Sequence, residues 1–285
     1  MILSIAKRNM RLFFRDKASV FFSLLAVLVV IGLYVFFLGS VLMGDLKDIP
    51  GQRWLMDSWI MAGLLGIGSI TTTMGAFGIM VEDRSKNIIK DFSAAPIKRS
   101  ALVGGYVTGA FFIGMIMSLI TLAAAEAYIV ANGGEWLNWS ELLQLVAIMA
   151  VSVFSCTAIV FFMVSFFRST GAFGAASTVL GTLIGFLTGV YLPIGELPEG
   201  VQNVIKCFPV SHAAALFRQV MMERPMDKVF TGAPAQQVVD FKVDMGVVFR
   251  FDDQLTGPWL SVIVLAATAL VFFILATVNM SRKRR

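Results

Sequence analysis

Charge is scarce in this chain. Asp, Glu, Lys and Arg make up 14% of 285 residues, where a soluble globular domain carries about 25%. Too few polar side chains remain to cover a water-facing surface, so a soluble enzyme and a disordered chain are both excluded. Histidine is scarcer still: His212 stands alone, which rules out a site built from two histidines of one copy. The two cysteines, Cys156 and Cys207, have no metal-ligand spacing, and no metal centre is expected. Catalytic signatures are missing as well. The chain has no G-x-x-x-x-G-K-[ST] loop to cradle nucleotide phosphates, no G-x-S-x-G and no H-E-x-x-H. Ser211 and His212 are adjacent, but neighbours on a helix point about 100° apart, and no third residue orients the imidazole. A histidine at a helix start reads as a cap or surface residue.

What is abundant is apolar. Hydrophobic residues reach 58%, with 25 phenylalanines and 16 methionines, and the mean hydropathy is +0.82. A helix crosses the hydrocarbon core with about 20 mostly apolar residues. Six runs qualify: 20–42, 58–81, 101–131, 142–167, 171–192 and 260–279. The first lies behind a basic stretch and is too long for a cleaved leader. The expected fold is therefore all-α: a single polytopic membrane domain over 1–285 with six transmembrane helices.

Lysine and arginine set the expected orientation. With the N-terminus inside, 15 of the 23 basic residues fall in short inside segments, and 8 remain outside. Of the 18 acids, only Asp16, Glu82, Asp83 and Asp91 are inside. Both termini are then cytoplasmic in a plasma membrane. The net charge of +5 describes a membrane face and needs no nucleic acid.

The segments between spans carry more information. Residues 1–19 begin with an amphipathic helix. Ile2, Ile5, Leu12 and Phe13 share one half-circle, and Lys7, Arg8, Arg11 and Arg15 cluster opposite. Such a helix lies in the headgroup plane with its phenylalanines down; the alternative is a plain topology signal. Residues 193–222 are apolar but are cut by Pro193, Pro198 and Pro209 into pieces too short to span. They read as a re-entrant helical hairpin packed against protein, or as two helices lying flat on the membrane. In the exposed segment 223–257, residues 239–245 alternate like a strand. Pro234 and Gly246 nevertheless punctuate a helix of about twelve residues, and helix is the expectation.

Glu126 is the one carboxylate inside a predicted span. An intramembrane acid is a functional candidate by default, but Glu126 lies near enough to Asn132 to be satisfied at the interface. An ion-coupled carrier would show several buried charges or broken helices in both halves, and this chain shows neither. Gly181, Gly185 and Gly189 recur every four residues in the fifth span. That spacing lets two helix backbones approach closely, within one chain or between two. Gly105 and Gly109 repeat it in the third span.

The segment 82–100 follows the second span directly. Glu82, Asp83 and Arg84 open it, Ile88, Ile89 and Phe92 make an apolar strip, Asp91 adds charge, and Pro96 ends the helix. Charges around an apolar strip beside a membrane suit docking to a cytoplasmic protein; a solvated connector is the alternative. The acidic start, the Ala94-Ala95-Pro96-Ile97-Lys98-Arg99 turn and the Gly189–Pro193, Leu197-Pro198 and Phe208-Pro209 stretch together resemble the permease subunits of ABC-2 type exporters. The resemblance extends over the whole topology.

That resemblance implies a bacterial export permease that is not itself an enzyme. It works as a dimer, with a second protomer of the same chain, on two copies of a separate ABC ATP-binding subunit. No cofactor is bound by this chain; ATP and Mg come with the partner. Residues 82–97 are the coupling helix, the first, second and fifth spans enclose the path, and the hairpin caps it outside. Lining glycines, threonines, methionine and phenylalanine suit an amphipathic or apolar cargo such as a drug, antimicrobial peptide or lipid. The competing class is a non-transporting immunity or scaffold protein in the same membrane.

Overall fold

The computed structural model describes residues 1–34, 36, 49–89, 92, 98–251 and 254–282. Twelve helices and one two-stranded hairpin are present among them. In chain order the helices are α1 (Ile2–Arg15), α2 (Lys17–Leu33), α3 (Gln52–Ser85), α4 (Arg99–Ala131), α5 (Trp139–Val164), α6 (Thr170–Leu187), a 3-10 turn (Ile194–Glu196), α7 (Glu199–Cys207), α8 (Pro209–Met221), α9 (Glu223–Val229), α10 (Ala235–Asp244) and α11 (Pro258–Arg282). The hairpin pairs Arg250–Phe251 with Gln254–Leu255.

Five described helices are long and apolar enough to cross a membrane: α3, α4, α5, α6 and α11. The protein is a polytopic, all-α membrane protein. The predicted first span, 20–42, is helical through Leu33 as part of α2, and residues 35 and 37–42 lie outside the described residues.

Local chemistry sets the boundaries. Asp16 stops α1 and caps α2, its Oδ1 accepting from the amides of Ala18 (3.0 Å) and Ser19 (3.2 Å). The helix therefore breaks at Asp16, and residues 17–19 belong to the next element. Asn138 and Glu141 form a reciprocal capping box at the start of α5. The predicted fifth span ends early, at Leu187, because Gly189 adopts φ 63°, a left-handed conformation that glycine reaches without steric cost. Pro198 precedes α7, and Pro209 is the first residue of α8. Proline at a helix start loses no hydrogen bond. Residues 235–244 are helical, with no strand.

α3 is the central element, buried along most of its length and packed by α2, α4, α5, α6 and α8. At 1.5 Å per residue its 34 residues span about 51 Å, more than the hydrocarbon core, so its ends project. Ser69, Thr72 and Thr73 return their hydroxyls to the carbonyl four residues back, which lets polar residues sit in the core. Of the threonines expected to line the path, Thr72 and Thr73 are instead buried inside the protomer. Phe161 of α5 bridges Phe77 of α3 (6.0 Å between centroids) and Phe273 of α11 (5.6 Å).

α1 does not simply float on the bilayer. Ile5, Ala6, Asn9 and Phe13 are buried, with the small face of α4 beneath the first three. A side chain at Gly105 would strike Ile5, and one at Gly109 would strike Asn9 and Ala6. The Gly105/Gly109 repeat is thus an intrachain contact, and Phe13 points into protein rather than lipid. Leu3 and Phe14 remain exposed.

The re-entrant piece divides unequally. α8 is buried on nearly every side, against α3, α5 and α11, while α7 stays largely exposed. His212 is buried, not a surface cap. A carbonyl can only accept, so its Nε2 carries the proton given to Lys206 O (2.8 Å). Its Nδ1 then accepts from Ser261 Oγ of α11 at 3.0 Å.

Candidate functional site

The described members of the expected coupling set, Glu82, Asp83, Arg84, Ile88, Ile89 and Phe92, lie at and just beyond the end of α3. Arg8 of α1 forks onto Asp83 of α3, Nη1 to Oδ2 at 2.6 Å and Nη2 to Oδ1 at 3.0 Å. Tyr106 of α4 donates its hydroxyl to the same Oδ2 at 2.6 Å. Asp83 is buried, so three donors compensate its desolvation. The carboxylate holds the Arg8 guanidinium above its ordinary pKa, chiefly through these hydrogen bonds.

Arg8 also sits over the Phe92 ring, 5.3 Å from its centroid, within cation–π range. Arg84 donates to Val164 O (3.0 Å), the last carbonyl of α5, and to Phe167 O (2.8 Å) in the turn that follows. Glu82 is exposed and pairs with Lys86 at 2.5 Å.

Between α3 and the next turn the backbone reverses at Asn87, φ 60°, a position asparagine tolerates better than most residues. Ile88, Ile89 and Phe92 are helical beyond it. Ile89 and Phe92 pack inward against the core, whereas Ile88 is half-buried and outside that cluster. The apolar strip is therefore split: Phe92 is an internal contact of this chain. Asp91 and Pro96 lie outside the described residues.

The glycine series of α6 also separates. A side chain at Gly185 would meet the ring of Tyr191, Gly189 ends the helix, and nothing lies within 4 Å of a Cβ at Gly181. Gly171, Gly174, Thr178, Thr182, Val179, Leu183 and Phe186 continue an open face. Thr71, Gly75, Gly78 and Ile79 form a less buried strip of α3. Gly75 faces Ser23 of α2, and Gly78 faces Phe173 of α6.

At the far end, Pro193, Pro198 and Pro209 set the boundaries of α7 and α8; α8 packs on α3 and α7 lies beside α8. Arg218 of α8 is fully buried, with no carboxylate partner among the described residues. Its Nη2 donates to Gly189 O (3.0 Å), its Nη1 approaches Gly246 O (3.4 Å), and its guanidinium lies 4.8 Å from the Trp59 ring. Trp59 Nε1 donates to Met245 O at 2.7 Å. Glu126 accepts from the Leu137 amide at 3.2 Å, beside Glu141 and Arg224 (3.6 Å apart). It is not the sole buried carboxylate in the spanning helices. Asp57, hydrogen-bonded to Tyr34, is 1% exposed, and α3 begins at Gln52, six residues before the predicted start of the span.

The pairing of Arg8 with Asp83, and the parts played by Tyr106, Asp57, Trp59 and Arg218, are not legible in the sequence. An arginine amid the apolar run 213–221 was the available signal for Arg218.

Comparison with known proteins places the chain in a family. Residues 55–278 match the family described as "ABC-2 family transporter protein". Nodulation protein J of Rhizobium leguminosarum bv. trifolii is 24% identical over 197 residues, covering 68% of this chain and 72% of that protein. Its counterpart in Sinorhizobium fredii (strain NBRC 101917 / NGR234) is 23% identical over 169 residues, 57% of this chain and 64% of that protein. In Rhizobium leguminosarum bv. viciae the identity is 23% over 200 residues, 69% of this chain and 74% of that protein. With a family match over most of its length, the chain belongs to the ABC-2 family of transporter membrane proteins.

Proposed function

We propose that this chain is the permease subunit of an ATP-driven exporter, acting as a dimer on two copies of a separate ATP-binding subunit. One observation carries the coupling: the Arg8 side chain is bonded to Asp83 of α3 while it covers Phe92. A push on the helix containing Ile88 and Phe92 is thereby delivered to α1, α3 and, through Tyr106, α4. The partner sits on the outward side of that segment, where Ile88 and the exposed charges of Glu82 and Lys86 are presented. ATP and Mg are bound by the partner, and this end of the bundle faces the cytoplasm. For a near-complete switch, ATP must favour one permease conformation by about 5.5 kcal/mol.

The open face of α6 meets a second protomer, and the Thr71–Ile79 strip of α3 with α2 and α6 lines the path. Because its glycines and threonines carry no formal charge, the cargo is an amphipathic or apolar molecule such as a drug, antimicrobial peptide or lipid. α7 and α8 form the re-entrant cap at the outer end, held by Arg218.

The test is co-expression with the cassette ATPase encoded nearest to this gene. Copurification and cargo-stimulated ATP hydrolysis in proteoliposomes support the reading. Binding of a partner without any nucleotide-dependent cargo movement supports a scaffold or immunity protein instead.

A further inference from the structure

A cavity of about 930 Å³ opens at the end of the bundle remote from Asp83, bounded by α5, α8, α9, α10 and α11. It is separate from the α2, α3 and α6 strip assigned to the path. Its floor is apolar, with Ile148, Leu216, Val220, Met226, Phe230 and Val262. Its rim carries Glu223, Asp227 and Lys242. The volume lies at the upper end of the roughly 300–1,000 Å³ of ligand sites.

Depth and charge identify the occupant. Gln144 and Ile148 lie in the first turns of α5, and Pro258, Trp259 and Val262 in the first turns of α11. Trp259 is 76% exposed, as befits a headgroup-level indole. The cavity thus runs from the headgroup layer into the hydrocarbon. Glu223 and Asp227, four residues apart on α9, face one side of the rim, and Lys242 of α10 belongs to another element. None of the three is held in an ion pair among the described residues. Two carboxylates call for a cation, and one ammonium calls for an anion.

We propose that the cavity binds one membrane phospholipid with a zwitterionic, primary-amine head. The lipid ammonium lies between Glu223 and Asp227, its phosphate meets Lys242, and an acyl chain covers the floor. Charge-assisted hydrogen bonds to a primary ammonium make this head preferred. An anionic glycerol head would leave both carboxylates without a cation.

The experiment is native mass spectrometry of the full chain, purified in mild detergent and offered equal phosphatidylethanolamine and phosphatidylglycerol with identical acyl chains. The expected result is one retained phosphatidylethanolamine per chain, with about tenfold preference over phosphatidylglycerol. Glu223→Gln combined with Asp227→Asn changes only exposed side chains and should reduce that preference to about unity. Lys242→Gln should weaken phosphatidylethanolamine retention severalfold, and Glu199→Gln on α7 should leave it unchanged. Ile148→Trp, which fills the floor, should abolish retention of both lipids. Equal retention of the two lipids by the parent chain overturns the proposal, as does a preference that survives the double substitution.

Discussion

Arg8 and Asp83 stand 75 positions apart in the chain and meet in a two-pronged ion pair, 2.6 and 3.0 Å long. The contact ties the amphipathic N-terminal helix to the projecting end of the central span. Two charges that the sequence reads as topology signals are thus also a packing contact.

Arg8→Ala should lower thermal stability in detergent by about 2 kcal/mol. That is less than the roughly 3–5 kcal/mol for breaking a fully buried pair, because the Arg8 side chain keeps 31% exposure. Arg8→Lys should recover part of this loss, since it keeps the charge but not the planar fork. Melting of the two variants separates these contributions; an unchanged Arg8→Ala would show that the joint contributes nothing to stability.

Phe92→Ala and Ile88→Asp should behave differently. Phe92 packs beneath Arg8, so its truncation should leave ATPase copurification intact and reduce cargo-stimulated hydrolysis. Ile88→Asp places a charge on the outward strip and should weaken copurification by about 2 kcal/mol, the scale of an interface hot spot. Loss of copurification with Phe92→Ala alone would relocate the docking face.

Three glycine substitutions distinguish packing from assembly. A Cβ at Gly66 would lie 3.1 Å from the Ala214 Cβ and 3.3 Å from its Cα. Gly66→Leu should therefore destabilise the protomer by about 1–3 kcal/mol through overpacking. Gly181→Leu meets no neighbour within the protomer and should spare its fold while impairing dimer cross-linking. Gly185→Leu displaces the Tyr191 ring and should perturb the α6 terminus first. Normal cross-linking and transport by Gly181→Leu would remove α6 from the dimer contact.

Arg218→Ala strips the donors from Gly189 O and Gly246 O and empties the face of Trp59. The expected loss is about 2–4 kcal/mol, from unsatisfied carbonyls and the lost cation–π contact. Arg218→Met should regain packing but not the carbonyl bonds, and so melt between the two. A variant as stable as the parent would mean that water replaces the guanidinium there.

Topology is open to cysteine labelling in a Cys207→Ala background, since Cys207 is exposed and Cys156 buried. Cysteines at positions 132 and 231 should react from outside, and those at 86 and 283 only after permeabilisation. External labelling at position 86 would invert the orientation and remove the coupling role with it.

The sequence by itself determined the long apolar runs, the break of 193–222 by Pro198 and Pro209, and the Pro234–Gly246 helix. These are local matters: length against bilayer thickness, the missing amide of proline, the conformational reach of glycine. It did not decide which side of a span meets protein. Gly181 and Gly185 belong to one four-residue repeat, yet a side chain at Gly185 would meet Tyr191 while Gly181 faces open space. Ile88 and Phe92 share one strip, yet Phe92 packs inward and Ile88 does not. In a soluble helix, water marks the outer face and the core marks the inner. In a membrane, lipid tails are as apolar as leucine, so both faces carry the same residues and the periodic signal vanishes. Only the packed bundle sorts those faces, and it alone brings Arg8 to Asp83 and Arg218 to Trp59.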